Sequence, residues 1–224
     1  MVMADPAKVA VYCESYLTSS EANDLASSVF GTVIVPFHEA GDEMLRQNLQ
    51  RLDGKNVLFA IKKRVDGALV QSAIRYYGVD GVDLELASIV LELADSVAAM
   101  NKLVVASPSS QPELWVELLQ AARMRMSWWN LQLYNGADYA AWVRAIVQSG
   151  VMTSERAQSF VVPGYKLTWS TPDSVAQDLQ GLKDYAPSVD GVFLRSYEQM
   201  KPRAAEWTRA IGSGLGEPRT ILAS

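Results

Sequence analysis

Two hydrophobic patterns alternate along the whole chain. Short apolar runs, such as VLFAI at 57–61 and LVVA at 103–106, are each followed by a stretch with apolar residues three or four positions apart. The first pattern is typical of buried strands and the second of amphipathic helices. The strand-like segments span residues 8–16, 32–39, 56–63, 81–87, 102–108, 129–135, 159–167 and 191–198. The helix-like segments are a short one opening at Ser20, then residues 42–52, 68–77, 88–100, 112–126, 138–150, 174–186 and 203–212.

Eight successive strand–helix units predict an α/β fold, a closed (β/α)8 TIM barrel. The main alternative is a doubly wound open sheet, but no Gly-rich phosphate-binding turn follows the first strand. No linker or low-complexity tract interrupts the alternation, so we expect a single domain over residues 1–224. This length is near the lower end of the barrel range of roughly 200 to over 400 residues, which predicts short loops and a shallow groove.

The amino-acid composition excludes several classes of protein. The chain is 49% hydrophobic and 20% charged, which is globular and excludes disorder. The net charge of -5 argues against a nucleic-acid partner, and the single Cys13 cannot form an internal disulfide. No apolar run is long enough to span a membrane, and the N-terminus lacks the apolar core of a signal peptide. We therefore expect a soluble protein without membrane contact. A cytoplasmic location is favoured, and secretion stays open if a signal was removed.

The ends of the predicted strands carry polar and aromatic residues. Function in this fold sits at the carboxyl ends of the strands, so these residues predict a groove for a polar ligand that can stack on rings. His38 is the only histidine, and the nearby Glu39 and Asp42 repeat no metal-ligand spacing. We therefore predict neither a metal site nor a cofactor. Of the adjacent Trp128 and Trp129, one should face the barrel interior and the other the helices.

The fourth strand carries the most informative segment, YGVDGVDLELA at 77–87. Alternate residues of a strand point to the same face, so Asp83, Glu85 and Ala87 should share the barrel interior. The apolar residues between them, Leu84 and Leu86, should face the helices. Carboxylates stacked on one strand shift each other's pKa values, an arrangement that acid catalysis exploits.

This segment resembles the fourth-strand signature of glycoside hydrolase family 18, the chitinases and their relatives, written D-G-x-D-x-D-x-E. Asp80, Gly81 and Asp83 match the signature. Glu85 replaces its third Asp, and Ala87 stands where its final Glu should be. The resemblance implies a barrel in which the position of the catalytic acid is occupied by a methyl group.

Further segments resemble the plant and fungal class III branch of this family, in the order of the strands. Residues 11–12 are similar to its first strand, 55–61 to its third and 106–112 to its fifth. LQLYN at 131–135 matches the sixth-strand V-Q-F-Y-N closely, and GVFL at 191–194 resembles the eighth-strand G-V-M-L. This ordered similarity supports the predicted barrel.

Three departures from the family pattern fall at strand ends. Cys13 and Glu14 replace a W-G pair after the first strand. Lys62 and Lys63 replace the glycines of the third-strand S-x-G-G motif, and Arg195 replaces a Trp that forms the floor of the sugar site. Charged side chains thus stand where the family leaves room for sugar.

By resemblance, Glu85, Gln132 and Tyr134 would line the pocket for the acetamido group, which is the nucleophile in this family. Ala87 has no proton to donate, and losing a general acid lowers the rate by roughly 10²- to 10⁴-fold. We therefore predict a chitinase-like barrel that binds carbohydrate, of the N-acetylglucosamine type, or another small polar ligand without hydrolysing it. The predicted ligand-binding residues are Tyr12, Glu14, Lys62, Asp83, Glu85, Gln132, Tyr134, Asn135, Tyr165, Trp169 and Arg195.

Two alternatives remain open. In the first, the protein is an active glycosidase that uses Asp83 and Glu85 as the D-x-E pair. This two-residue shift keeps both carboxylates facing inward, but it places the catalytic carboxyl group about 6.6 Å deeper in the barrel than the family signature does. In the second, Lys62 or Lys63 pairs with these carboxylates and closes the former site. The barrel would then serve as a scaffold or inhibitor that binds a protein partner.

Overall fold

Eight parallel strands close into a barrel in which each strand pairs with its neighbours in chain order and β8 pairs with β1. The computed structural model describes residue 5, residues 8–122 and residues 125–216. The strands are β1 (Val9–Tyr12), β2 (Thr32–Pro36), β3 (Asn56–Ile61), β4 (Gly81–Leu84), β5 (Leu103–Ala106), β6 (Trp128–Gln132), β7 (Val161–Lys166) and β8 (Val192–Arg195). The predicted (β/α)8 barrel is therefore confirmed.

Helices surround the barrel, and several of them begin at polar N-cap residues. The helices are α1 (Ser19–Ala26), α2 (Glu43–Gln50), α3 (Gly67–Tyr77), α4 (Val90–Ala98), α5 (Pro112–Ala121), α6 (Tyr139–Gln148), α7 (Ser154–Phe160), α8 (Pro172–Tyr185), α9 (Tyr197–Met200) and α10 (Ala204–Leu215). Thr18 and Thr171 form capping boxes at α1 and α8, while Asp42 and Asp138 accept backbone hydrogen bonds at α2 and α6. Within the described residues, no helix has the length and apolar character needed to cross a membrane.

One face of each strand packs against the surrounding helices, and the other face packs inside the barrel. Trp129 packs against helix residues, with its ring centroid 5.6 Å from that of Trp142 and 5.2 Å from that of Phe160. Trp128 turns inward, where its Nε1 donates a hydrogen bond of 3.0 Å to Oδ1 of the fully buried Asn130. The prediction that one of these tryptophans faces the interior and the other the helices is confirmed.

A cluster of aromatic rings, in tilted and edge-on contact, fills the barrel below its carboxyl end. The Phe193 ring of β8 lies 5.9 Å from the Tyr12 ring and 6.2 Å from the Tyr134 ring, centroid to centroid. It fits because β7 has glycine at position 164, where any Cβ would collide with the Phe193 ring. The end of the barrel above these rings, where the strands reach their carboxyl ends, is called the mouth below.

The strands end earlier than the apolar pattern predicts. β4 ends at Leu84 instead of continuing to Ala87, which begins a 3₁₀ turn that runs to Ile89. Glu85 N still donates to Ile61 O at 3.2 Å, but residues beyond it leave the sheet. Leu86, predicted to face the helices, is therefore partly exposed to solvent. The pattern of polar and apolar residues within one strand does not show where its neighbour stops forming backbone hydrogen bonds with it.

Two helices were absent from the prediction of eight. α7 occupies the beginning of the predicted strand 159–167, because Thr153 caps a helix that continues to Phe160. The short α9 precedes α10, to which it is joined by a 3₁₀ turn at Lys201–Arg203. Met124, within the predicted helix-like segment 112–126, lies outside the described residues.

Candidate functional site

Two cations and two carboxylates form a ring across the mouth. Arg195 Nε donates a hydrogen bond of 2.7 Å to Glu14 Oε1, and Arg195 Nη1 lies 3.5 Å from Glu85 Oε1. On the opposite side, Lys62 Nζ lies 3.5 Å from Glu14 Oε2 and 3.8 Å from Glu85 Oε1. Glu14, Lys62, Glu85 and Arg195, called the mouth cluster below, follow β1, β3 and β4 or end β8.

Strand parity explains why one lysine joins this cluster and the other does not. Phe59 packs outward against Tyr77 of α3, with ring centroids 5.5 Å apart, so Ala60 and Lys62 face the interior. Lys63 points the other way and lines an outer groove with Tyr16 and His38. Of these two lysines, only Lys62 therefore contacts the carboxylates.

Ion pairing dominates the electrostatics of the mouth cluster. Burial opposes ionisation of Glu14, but the Arg195 hydrogen bond and the charges of Arg195 and Lys62 lower its pKa. Burial likewise disfavours the Arg195 cation, while the Glu14 hydrogen bond and the Glu85 charge raise the Arg195 pKa. The fully buried Tyr12 ring lies beneath, 5.6 Å from Lys62 Nζ and 5.1 Å from Arg195 Cζ. Its π face favours both cations.

Asp83 lies one layer deeper and is completely buried. Ser107 Oγ is 2.9 Å from Asp83 Oδ1 and 2.8 Å from Asp83 Oδ2, and Tyr12 Oη is 3.4 Å from the same Ser107 oxygen. Burial and repulsion from Glu85 raise the pKa of Asp83 well above its ordinary value, against the opposing Ser107 hydrogen bond. Asp83 thus supports the site from below, without contact with solvent.

Gln132 and Tyr134, two of the three residues predicted to line the acetamido pocket, form a second hydrogen-bond network with Asn135 beside the mouth cluster, whereas the third, Glu85, belongs to that cluster. Gln132 Nε2 donates to Ser107 O at 2.5 Å, and Gln132 Oε1 accepts from Tyr134 Oη at 3.1 Å and from Asn135 Nδ2 at 2.7 Å. Arg195 Nη1 donates to Tyr134 Oη at 3.4 Å. Burial raises the pKa of Tyr134 to about 12, so its hydroxyl keeps its proton at neutral pH.

The structure thus brings together most of the residues predicted to bind ligand. Those that meet at the mouth or directly below it are Tyr12, Glu14, Lys62, Asp83, Glu85, Gln132, Tyr134, Asn135 and Arg195. Among them Glu85 Oε1 is buried without a hydrogen bond, although two cations lie within 4 Å of it.

Trp169 and Tyr165 lie apart from this group. Lys166, which pairs in register with Arg195, has its Nζ 4.5 Å from the centroid of the Trp169 ring. The ring is 66% exposed and lies beside the rim. Tyr165 points away from the mouth because Gly164 occupies the inward face of β7, and it lines an outer groove against α8.

Two residues that hold the site together, Ser107 and Glu198, were not among the predicted ligand-binding residues, although both lie near the carboxyl ends of predicted strands. Ser107 joins Asp83 to Tyr12. Glu198 Oε1 accepts hydrogen bonds from Glu14 N at 2.9 Å, Ser15 N at 3.0 Å and Ser15 Oγ at 2.9 Å. Glu198 thereby holds the loop that carries Glu14. Their polar type at a strand end was the available signal, but their partners lie 24 or more positions away along the chain.

The position of the expected catalytic acid offers no proton. Ala87 is half-buried at the start of the 3₁₀ turn after β4. In the described part of the chain, no group of three or more His, Cys, Asp or Glu side chains is arranged to hold a metal ion.

Comparison with known proteins shows which solved structures share this fold. No protein-family model and no curated protein matches the chain. A family 18 chitinase from Pseudoalteromonas aurantia superposes with a TM-score of 0.68 at 12% identity, over 93% of this chain and 100% of that one. The fold is chitinase-like. A spore cortex-lytic enzyme from Bacillus megaterium gives a TM-score of 0.55 at 8% identity, over 89% and 73% of the two chains. An aldolase from Desulfitobacterium hafniense gives 0.54 at 14%, over 92% and 93%.

Proposed function

We propose that this chitinase-like barrel binds a short, neutral, polyhydroxylated ligand of the N-acetylhexosamine type at its mouth and does not hydrolyse it. The observation that carries the proposal is the combination of Ala87 with the intact network of Gln132, Tyr134 and Asn135 beside Glu85. The groups that would orient a sugar are present, while the group that would protonate its glycosidic oxygen is absent.

The mouth cluster supports the absence of hydrolysis. Glu85 lies between Lys62 and Arg195, so its buried oxygen faces two cations rather than a leaving group. Asp83 is completely buried, whereas a general acid must come within hydrogen-bond reach of the oxygen that it protonates. These features argue against the alternative in which Asp83 and Glu85 act as the catalytic pair.

The rim supports binding of a polar ligand. Asn135 is exposed, Tyr134 is half-buried, and Trp169 presents an open ring beside the end of β7. Hydroxyl and amide groups of a sugar can exchange hydrogen bonds with the first two, and its apolar face can stack on the indole. The short chain predicts a shallow groove, which favours a short ligand over a long polymer.

A closed scaffold is the second candidate, and one observation favours it. Lys62 and Arg195 already satisfy the charges of both Glu14 and Glu85, as expected of a site filled by its own side chains. In that case the mouth would be purely structural, and a protein partner would bind elsewhere on the barrel.

Calorimetric titration with N-acetylglucosamine oligomers separates these candidates. We expect binding by the native chain, weaker binding by Asn135→Ala, and unchanged binding by Asn23→Ala, which alters an exposed residue of α1. Absence of heat at millimolar oligosaccharide would overturn the binding proposal and favour the closed scaffold. Release of new reducing ends during the titration would overturn the non-hydrolytic part.

A further inference from the structure

A second groove lies outside the barrel, between the loop after β6 and helix α8. Its volume is about 480 Å³. Its lining residues combine aromatic rings, aliphatic side chains and carboxylates, without a lysine or arginine. They are Leu133, Ala137, Asp138, Tyr139, Ala140, Tyr165, Gln177, Asp178, Gly181, Leu182 and Tyr185. The groove is thus acidic and aromatic, and it is separate from the mouth cluster.

The wall of this groove contains a buried hydroxyl without a partner. Tyr165 is only 6% exposed, and its Oη has no hydrogen-bond partner among the described residues. A buried polar group that forms no hydrogen bond is destabilising, so native proteins rarely keep one without a reason. Burial and the nearby Asp178 charge raise the Tyr165 pKa, so the hydroxyl stays protonated at neutral pH.

The surroundings of this hydroxyl select the chemistry of a ligand. Asp178 forms no hydrogen bond or ion pair within the described part of the chain, and the ring of Tyr185 is 62% exposed. A carboxylate and an aromatic face both attract a cation, and a tyrosine oxygen can accept a hydrogen bond from it. Leu133 and Leu182 provide aliphatic surface for a hydrocarbon stem.

The surface of α8 leaves room for such a stem. A Cβ added at Gly181 would meet no atom within 4 Å, so the helix is bare at the floor of the groove. Tyr165 Oη itself is shielded from solvent, so a ligand reaches it only when the side chains around it move. Gln177 is exposed and Leu182 is only partly buried, so both have space to move.

We propose that this groove binds an alkylammonium group, the cationic end of a polyamine or of a lysine side chain, with Tyr165 and Asp178 as its polar contacts. The ammonium donates hydrogen bonds to the Asp178 carboxylate and the Tyr165 oxygen, and its methylene stem packs along Leu133 and Leu182. The Tyr185 ring covers the charge. This site is independent of sugar binding at the mouth.

Calorimetric titration of the full chain with spermidine and with a lysine-containing peptide tests the proposal. Loss of one charge-assisted hydrogen bond should weaken binding about tenfold, so we expect this effect from Tyr165→Phe and from Asp178→Asn. Gly181→Leu should abolish binding by filling the groove. Asp184→Asn, which removes an equal charge from the same helix outside this groove, should leave binding unchanged.

Each result of this titration decides the proposal. Binding of spermidine alone identifies a free amine as the ligand, and binding of the peptide alone identifies a lysine side chain. Absence of binding of either at millimolar concentration overturns the proposal. Equal binding by the native chain and Gly181→Leu also overturns it, because attraction to a chain of net charge -5 would then explain the result. Gly181→Leu and Asp178→Asn provide this test even if Tyr165→Phe fails to fold.

Discussion

Arg195 at the end of β8 donates a 2.7 Å hydrogen bond to Glu14, which follows β1, and so ties together the two strands that close the barrel. The same guanidinium contacts Glu85 and Tyr134. One side chain thus connects the mouth cluster to the Gln132 network.

Arg195→Ala should destabilise the protein. The substitution leaves Glu14 and Glu85 with Lys62 as their only cation within 4 Å among the described residues. Because the site retains contact with solvent, we expect the free energy of unfolding to fall by roughly 2 kcal/mol, less than for loss of a fully buried ion pair. Urea unfolding measures it. Arg195→Lys, which keeps the charge, should lose less, and equal stability of Arg195→Ala and the native chain would contradict this role.

Asp83→Asn should change how stability depends on pH. The pKa of Asp83 is raised in the folded state, so from about pH 3.9 up to that raised value the folded chain binds more protons than the unfolded chain. Stability contributed by Asp83 therefore falls as pH rises through this window. Asn cannot titrate, so the Tm of the variant relative to the native protein should increase with pH. A constant difference between the two Tm values across pH 5 to pH 9 would contradict the prediction.

Glu198→Ala should release the loop that follows β1. Glu198 Oε1 accepts three hydrogen bonds from Glu14 and Ser15, and hydrogen bonds to a charged group contribute about 1.5–3 kcal/mol each before the loop relaxes. We expect faster amide hydrogen exchange at Glu14 and Ser15. Glu206→Ala, which removes an exposed carboxylate paired only with Arg203 among the described residues, should leave exchange in this loop unchanged.

Two glycine substitutions should have opposite effects. Gly164→Ala places a Cβ against the Phe193 ring, which is fully buried, so we expect overpacking to cost about 1–3 kcal/mol. Gly181→Ala lies in α8 with open space around the new Cβ, and it should stabilise the protein by about 0.5–1 kcal/mol. Thermal unfolding of the two variants measures both effects, and a stabilised Gly164→Ala would show that the ring moves.

Ala87→Glu should not by itself produce hydrolysis of chromogenic N-acetylglucosaminides. Residue 87 begins a 3₁₀ turn, and Lys62 and Arg195 still occupy the mouth beside Glu85. A new carboxyl group would meet cations rather than a substrate oxygen. Measurable hydrolysis by this single variant would show that the mouth accommodates a productive substrate.

The sequence alone predicted the barrel, because eight apolar runs separated by amphipathic segments leave few other ways to bury both faces of every strand. It also placed Asp83 and Glu85 on the inner face, since parity along one strand is a local property. The alanine at position 87, where the resemblance to family 18 places a catalytic acid, is likewise read directly from the sequence.

Only the tertiary structure decided which of these residues meet. Arg195 reaches Glu14 because closure of the barrel brings β8 beside β1, 181 positions away in the chain. Tyr165 lies outside the predicted site. Gly164 faces the Phe193 ring inside the barrel, so the next residue of β7, Tyr165, points outward. Strand ends and long-range partners depend on how neighbouring strands align, and hydrophobic periodicity within a single strand carries no information about that alignment.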